Sequence, residues 1–267
     1  MGFCALIAIL VLASPVARVF LLHYQKEMTM SASTAVIIGG SSGIGFATAR
    51  HLLDLGYDVT ITGRTPEHLM IAKKALGESV SSFLLDATDA AAIVQTFARI
   101  NTFDHLILAL GNSKGGGPFA NAVLDDVRQG FEEKVFAHFA CAQAALQFLT
   151  PGGSITFISA VSAHVAMPGT AGLGAANAAI AALVPTLASE LRPLRVNAVS
   201  PGVIDTPWWD FFPVQQRAEV FADYAGKTPV GRVGNAQDIA DAIAFLLGNT
   251  FITGQTLVVD GGLSLGH

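Results

Sequence analysis

The chain predicts a doubly wound α/β fold, a seven-stranded parallel sheet in a three-layer α/β/α sandwich, and three observations carry that expectation. From Thr34 onward, short β-branched apolar runs alternate with longer Ala/Leu-rich stretches of helical spacing, as parallel strands joined by crossover helices do. A glycine cluster follows the first of those runs at once. Finally, the 267 residues are 52% hydrophobic and only 13% charged, which supplies a sizeable core and excludes disorder.

Residues 1–30 are read as an extension outside the fold. Phe3 to Ala17 is almost wholly apolar and Val19 to Leu22 continues the run past Arg18, so 3–22 could touch a membrane. A span needs about 20 apolar residues, and Ser14, Pro15 and Arg18 interrupt this one. Three readings stay open: a natural start at Met28 or Met30, an anchor or interfacial helix, and a cleaved signal. The signal lacks a basic segment before the apolar run.

Residues 31–267 then form one domain. Its strands are expected at 35–38, 57–62, 80–85, 105–110, 154–158, 194–199 and 255–259, each a short run such as Ala35-Val36-Ile37-Ile38 or Thr256-Leu257-Val258-Val259. Between them Ile44–Leu55, Ala90–Ile100, Asp125–Phe148, Gly169–Leu191 and Gln237–Leu247 are each long enough for a crossover helix. Gly115-Gly116-Gly117-Pro118 marks a loop, and no Pro/Gly/Ser-rich linker divides the chain.

Composition removes several functions. Fifteen Lys and Arg against 20 Asp and Glu give a net charge of −5, the wrong sign for neutralising phosphate backbones, so nucleic-acid binding is excluded. Cys4 and Cys141 show no metal-ligand spacing, and neither do His23, His51, His68, His105 and His267, so no metal site is expected. Two cysteines fit a reducing compartment, and the cytoplasm is the expected location, with membrane association as the alternative.

The first chemical motif is Gly39-Gly40-Ser41-Ser42-Gly43-Ile44-Gly45, set between the first strand and the first helix. Glycines permit a tight turn and close approach of backbone to a pyrophosphate, and the helix N-terminus offers free N–H groups to it. Strand, glycine turn and helix together are the context a dinucleotide site requires.

With Gly39-x-x-x-Gly43-x-Gly45 the sequence resembles the short-chain dehydrogenase/reductase family, and the resemblance runs over about residues 33–265. It implies a Rossmann-type fold, a nicotinamide cofactor, a homotetramer or homodimer, and a small organic substrate. Asp86-Ala87 resembles the adenine-contacting position, Gly111 the last residue of the motif after the fourth strand, and Pro201-Gly202-Val203-Ile204-Asp205-Thr206 the nicotinamide-side loop. Pro229-Val230-Gly231-Arg232 and Thr253-Gly254-Gln255 to Asp260-Gly261-Gly262 resemble the C-terminal signatures.

Charge then argues for NADP(H) over NAD(H). An acidic residue at the end of the second strand, about 20 positions after the glycines, would accept from the ribose hydroxyls of NAD. That slot is Gly63, followed by Arg64, whose guanidinium can clamp a 2′-phosphate. Arg64 also reads as a solvated surface residue, and Thr65 either as a cofactor contact or as a helix N-cap before Pro66.

The catalytic positions depart from the family. Its Asn, Ser, Tyr and Lys align with Lys134, Ala160, Leu173 and Asn177. Leu173 cannot give a proton to the alkoxide that hydride addition creates. Three readings follow: a cationic acceptor such as an iminium, or a conjugated carbonyl in place of a simple ketone; a displaced group, with Ser159, Ser162, the loop residue His164 and Lys134 the candidates; or a non-catalytic NADP(H)-binding sensor or interaction protein. Ser159 and Ser162 also read as satisfying backbone groups at a strand end. Lys134, beside Glu132 and Glu133, also reads as a solvated ammonium. Asn177 keeps the capacity to hydrogen-bond a ribose hydroxyl. Pro207-Trp208-Trp209-Asp210-Phe211-Phe212-Pro213 is expected to form an apolar lid over a hydrophobic, ring-containing substrate, or else an oligomer contact.

Overall fold

The computed structural model describes residues 32–266, so the readings of the N-terminal apolar run lie outside the described residues. In chain order the elements are β1 (Thr34–Ile38), α1 (Gly43–Asp54), β2 (Asp58–Gly63), α2 (Pro66–Leu76), β3 (Ser81–Leu84), α3 (Ala90–Ile100), β4 (Phe103–Leu108) and α4 (Leu124–Phe131). A π-helical turn, Glu132–Phe136, joins α4 to α5 (Ala137–Ala145). After it come β5 (Leu149–Ile158), α6 (Ala171–Glu190), β6 (Arg195–Pro201), β7 (Ile204–Asp205), α7 (Val214–Lys227), β8 (Gly234–Asn235), α8 (Ala236–Gly248) and β9 (Thr256–Val259).

Seven strands form one parallel sheet in the order β3-β2-β1-β4-β5-β6-β9, while β7 and β8 pair separately. The direction of strand order reverses between β1 and β4, and in such sheets ligands occupy the crevice outside the carboxyl ends of the strands at that point. Register lines those ends up: Ile38 stands opposite both Thr62 and Leu108. The ladder continues one step further, with Ala109 N donating to Ile38 O and Gly40 N to Thr62 O, each at 2.9 Å. The glycine turn, Arg64 and the loop after β4 therefore emerge along one crest.

Alternation along the strands divides the core between the two faces. Leu106, Leu108, Ile155 and Phe157 pack with Phe97, Cys141 and Ile180 on one side; Ile37, Ile61 and Ile107 pack with Leu52, Ile239 and Ile243 on the other. Burial of each such side chain contributes roughly 1.5–3 kcal/mol. Helix α6 is long and apolar enough by composition to cross a bilayer, yet Ile180, Val184 and Ala188 pack into the first of these core layers.

Two helices stand where the sequence reading placed none. Helix α2 starts with Thr65 at the N-cap position and Pro66 in its first turn, although the Thr65 side chain makes no capping hydrogen bond. Helix α7 buries no residue fully. The expected helix over 125–148 is present as an uninterrupted helical run of α4, the π turn and α5 that ends at Ala145, and β5 begins at Leu149 rather than 154. The early start of β5 passes through a register irregularity, Phe103 pairing Leu149 but His105 pairing Ser154, with Gly152 at φ 87°.

Candidate functional site

The glycine turn is built by close packing. Gly39 has φ 87°, and a Cβ there would stand 2.8 Å from Ala109 O; a Cβ on Gly45 would collide with the Gly39 carbonyl. Ser42 occupies the N-cap of α1 in extended backbone without a side-chain cap, which leaves the first-turn N–H groups of Gly43, Ile44 and Gly45 free for an anion. Gly63 follows the same logic: a Cβ would lie 2.7 Å from Ser41 Oγ, so no carboxylate fits that slot unless Ser41 moves.

At the outer end of the crevice Arg64 is 53% exposed and its Nη1 lies 3.3 Å from Glu133 Oε2. It is paired and still exposed, so the reading of a solvated surface arginine stands beside that of a cofactor contact. Asp86 sits nearby at the end of β3, its carboxyl held below the usual range by the N–H and hydroxyl of Thr88 and then by Arg64. Ala87 beside it is buried.

From the glycine turn a cavity of about 530 Å³ opens toward β5, β6 and the lid. Gly111, Pro201, Gly202, Ile204 and Thr206 line it as expected, whereas Ser41, Gly45, Arg64, Thr65, Asp86 and Ala87 do not. Thr206 closes on the turn, standing 3.6 Å from where a Gly43 Cβ would be, and Gly202 is pressed against Asp260 of the C-terminal segment. The lid is pinned at two points: Trp208 Nε1 donates to Asn112 O and Trp209 Nε1 to Ile204 O, each at 3.0 Å. Phe221 and Tyr224 of α7 extend the aromatic cluster around Trp209. Tyr224, Met167 and Thr170 also line the cavity, and the sequence reading named none of them. The signal available was the aromatic pair at i, i+3 that continues Trp208 to Phe212.

Ala160, Leu173 and Asn177 all line this cavity. Leu173 packs toward the glycine-rich loop, its Cδ1 lying 3.3 Å from the position of a Cβ on Gly116. Asn177 is 5% exposed; its Nδ2 donates to Ser162 Oγ at 3.1 Å, while its Oδ1 has no hydrogen-bond partner among the described residues. A buried carbonyl oxygen without a partner costs about 1–3 kcal/mol. The residue that carries it lines the cavity. Ser159 gives its hydroxyl proton to Asn177 O at 2.9 Å, which fastens β5 to α6 and occupies that proton. Ser162 accepts from Asn177 and keeps its own hydrogen to donate.

Lys134 lies within the π turn and is the one lysine or arginine lining the cavity among the described residues. Insertions of this kind recur at functional sites, because the extra residue re-aims the side chains of the turn. Burial lowers its pKa to about 8, and no neighbouring carboxylate offsets that shift. Both ring nitrogens of His138 face carbonyl oxygens, Nδ1 at 2.7 Å from Lys134 O and Nε2 at 3.0 Å from Leu108 O, and a neutral ring donates to one of the two. His138 stays neutral: burial first, then Lys134, pushes it down to about 3.

Comparison with known proteins agrees with this geometry. Residues 38–264 match the family model described as enoyl-(acyl carrier protein) reductase. The chain is 32% identical over 241 residues to cis-4-hydroxycyclohexanecarboxylate dehydrogenase of Sinomonas cyclohexanicum, covering 85% of this chain and 95% of that one. To the 3-oxoacyl-[acyl-carrier-protein] reductase of Rickettsia bellii it is 31% identical over 240 residues, covering 88% and 98%. A solved small-chain dehydrogenase in complex with NADPH superposes with TM-score 0.76 at 31% identity, covering 88% of this chain and all of that one. A short-chain type dehydrogenase/reductase from Mycobacterium ulcerans gives TM-score 0.82 at 28% identity, covering 89% and 92%.

Proposed function

The chain belongs to the short-chain dehydrogenase/reductase family, and from that we propose that it is an NADP(H)-dependent reductase of an apolar, ring-containing carbonyl compound in which Lys134, not a tyrosine, meets the substrate oxygen. The oxidoreductase class follows from the family. Preference for NADP(H), substrate class and the role of Lys134 are the proposal.

NADP(H), when bound, supplies or accepts the hydride. The residues present suit it: the glycine turn and α1 N–H groups take the pyrophosphate, Arg64 the 2′-phosphate, Asp86-Ala87 the adenine side, and the unpartnered Asn177 Oδ1 a ribose hydroxyl.

The observation that carries the reading is the partly buried Lys134 ammonium in a cavity where Leu173 and Ala160 offer no proton. As the carbonyl carbon takes the hydride, the C=O π pair becomes an oxyanion lone pair. Nζ–H gives that oxygen a proton, and the neutral amine left behind is reprotonated from solvent. A donor with a pKa of about 8 is well matched to this work near neutral pH. The same cation repels an iminium, so a neutral carbonyl acceptor ranks above the charged imine that the loss of the phenol first suggests. Ser162 can add a second donor to the oxyanion. The apolar lid favours a ring, in keeping with the cyclohexane substrate in the Sinomonas relative's name. A cytoplasmic homo-oligomer completes the proposal. NADPH consumption with a panel of cyclic ketones and enones tests it; a cyclic carbonyl turned over by the unmutated protein and lost in Lys134→Met is the expected result.

A further inference from the structure

The ion pair between Arg64 and Glu133 joins two residues 69 positions apart in the chain. Arg64 follows β2, and Glu133 belongs to the π turn beyond β4. In the sheet β1 lies between those strands, and its carboxyl end carries the glycine turn. The pair thus bridges the crevice at the point where strand order reverses. Glu133 is 18% exposed and is held from behind by Gln129, whose Nε2 donates to Oε1 at 2.7 Å. Its contact with Arg64 is monodentate, through Nη1 alone, which leaves the other guanidinium N–H groups for a second anion.

We propose that Glu133 sets the degree of cofactor discrimination by competing with the 2′-phosphate for Arg64 across the crevice. The inference rests on Arg64 as the phosphate partner. A phosphate on the free edge of the guanidinium stands beside the Glu133 carboxylate, so two anions share one cation. A ribose 2′-hydroxyl at the same place meets no such repulsion and can donate to Glu133 Oε2. Both effects reduce the advantage of NADP(H) below what Arg64 alone would confer.

Calorimetric binding of adenosine 2′,5′-bisphosphate and adenosine 5′-monophosphate tests this without reliance on turnover. Glu133→Gln, which keeps shape and can still bond Gln129, is expected to bind the bisphosphate about three- to tenfold tighter, with monophosphate affinity unchanged or about twofold weaker. Glu133→Ala should move in the same direction and serves if the Gln variant does not fold. Unchanged or weaker bisphosphate binding overturns the proposal, as does equal tightening of both nucleotides. Arg64→Ala separates the two levels: if it leaves the bisphosphate-to-monophosphate ratio unchanged, the phosphate-partner reading fails along with the inference. If it lowers that ratio while Glu133→Gln does nothing, only the inference fails.

Discussion

Replacing Lys134 by Met should lower catalysis and raise stability at once, a combination that a structural lysine would not produce. Burial brings the folded-state pKa to about 8 from an ordinary 10.5. The unfolded chain therefore binds the proton more readily between those values, and stability rises with pH across that window. Below about pH 8 the full penalty is present. Because Lys134 is partly rather than wholly buried, we discount the shift to about 1–3 kcal/mol. At roughly 2–4 °C per kcal/mol for a domain of this size, Lys134→Met should melt several degrees higher at pH 7. Loss of a general acid typically costs about 10²–10⁴ in rate. Reduction by the unmutated protein should stay level below about pH 8 and fall as the ammonium is lost above it. In the variant that alkaline limb disappears. The assays are melting followed by circular dichroism and the pH profile of kcat with NADPH and a cyclic ketone. A variant that melts lower, or that keeps kcat within twofold with the same alkaline limb, refutes the assignment.

Asn177→Ala removes a buried, unpartnered acceptor on a residue that lines the cavity and should weaken NADPH binding about fivefold, read from fluorescence titration. Arg64→Ala should cost NADPH about 1.5–3 kcal/mol while leaving NADH within twofold, measured as the two dissociation constants. Protein begun at Met30 should keep the melting temperature and NADPH affinity of the full chain, since β1 begins at Thr34 and the family match at residue 38.

Much of the frame was legible because parallel strands buried on both faces read as continuous apolar runs, and six of the seven expected strands lie within about two residues of their observed bounds. The two helices without an assignment have a common cause. Helix α2 buries fully only Leu69 and Ala72, and α7 buries nothing fully, so each offers few apolar core positions by which to be read. The glycine turn proposed for the cofactor stands between β1 and α1 as expected, because it depends on glycines and a strand end that are local in sequence. The proposed catalytic half depends on a π turn. No residue pattern in Glu132-Glu133-Lys134-Val135-Phe136 announces the extra residue, and two neighbouring carboxylates made a solvated ammonium the natural expectation for Lys134. The turn instead parts the neighbours, sending Glu133 to Arg64 at the crest and Lys134 to the cavity.

The most direct test of the account is the rate of NADPH oxidation by unmutated protein with two acceptors of matched ring shape, a neutral cyclic ketone and the corresponding cyclic iminium. A cationic proton donor at Lys134 predicts turnover of the ketone at rates typical of enzymes, around 10 per second, and at least tenfold less for the iminium. Preference for the iminium, or turnover of neither while NADPH binds, would contradict it.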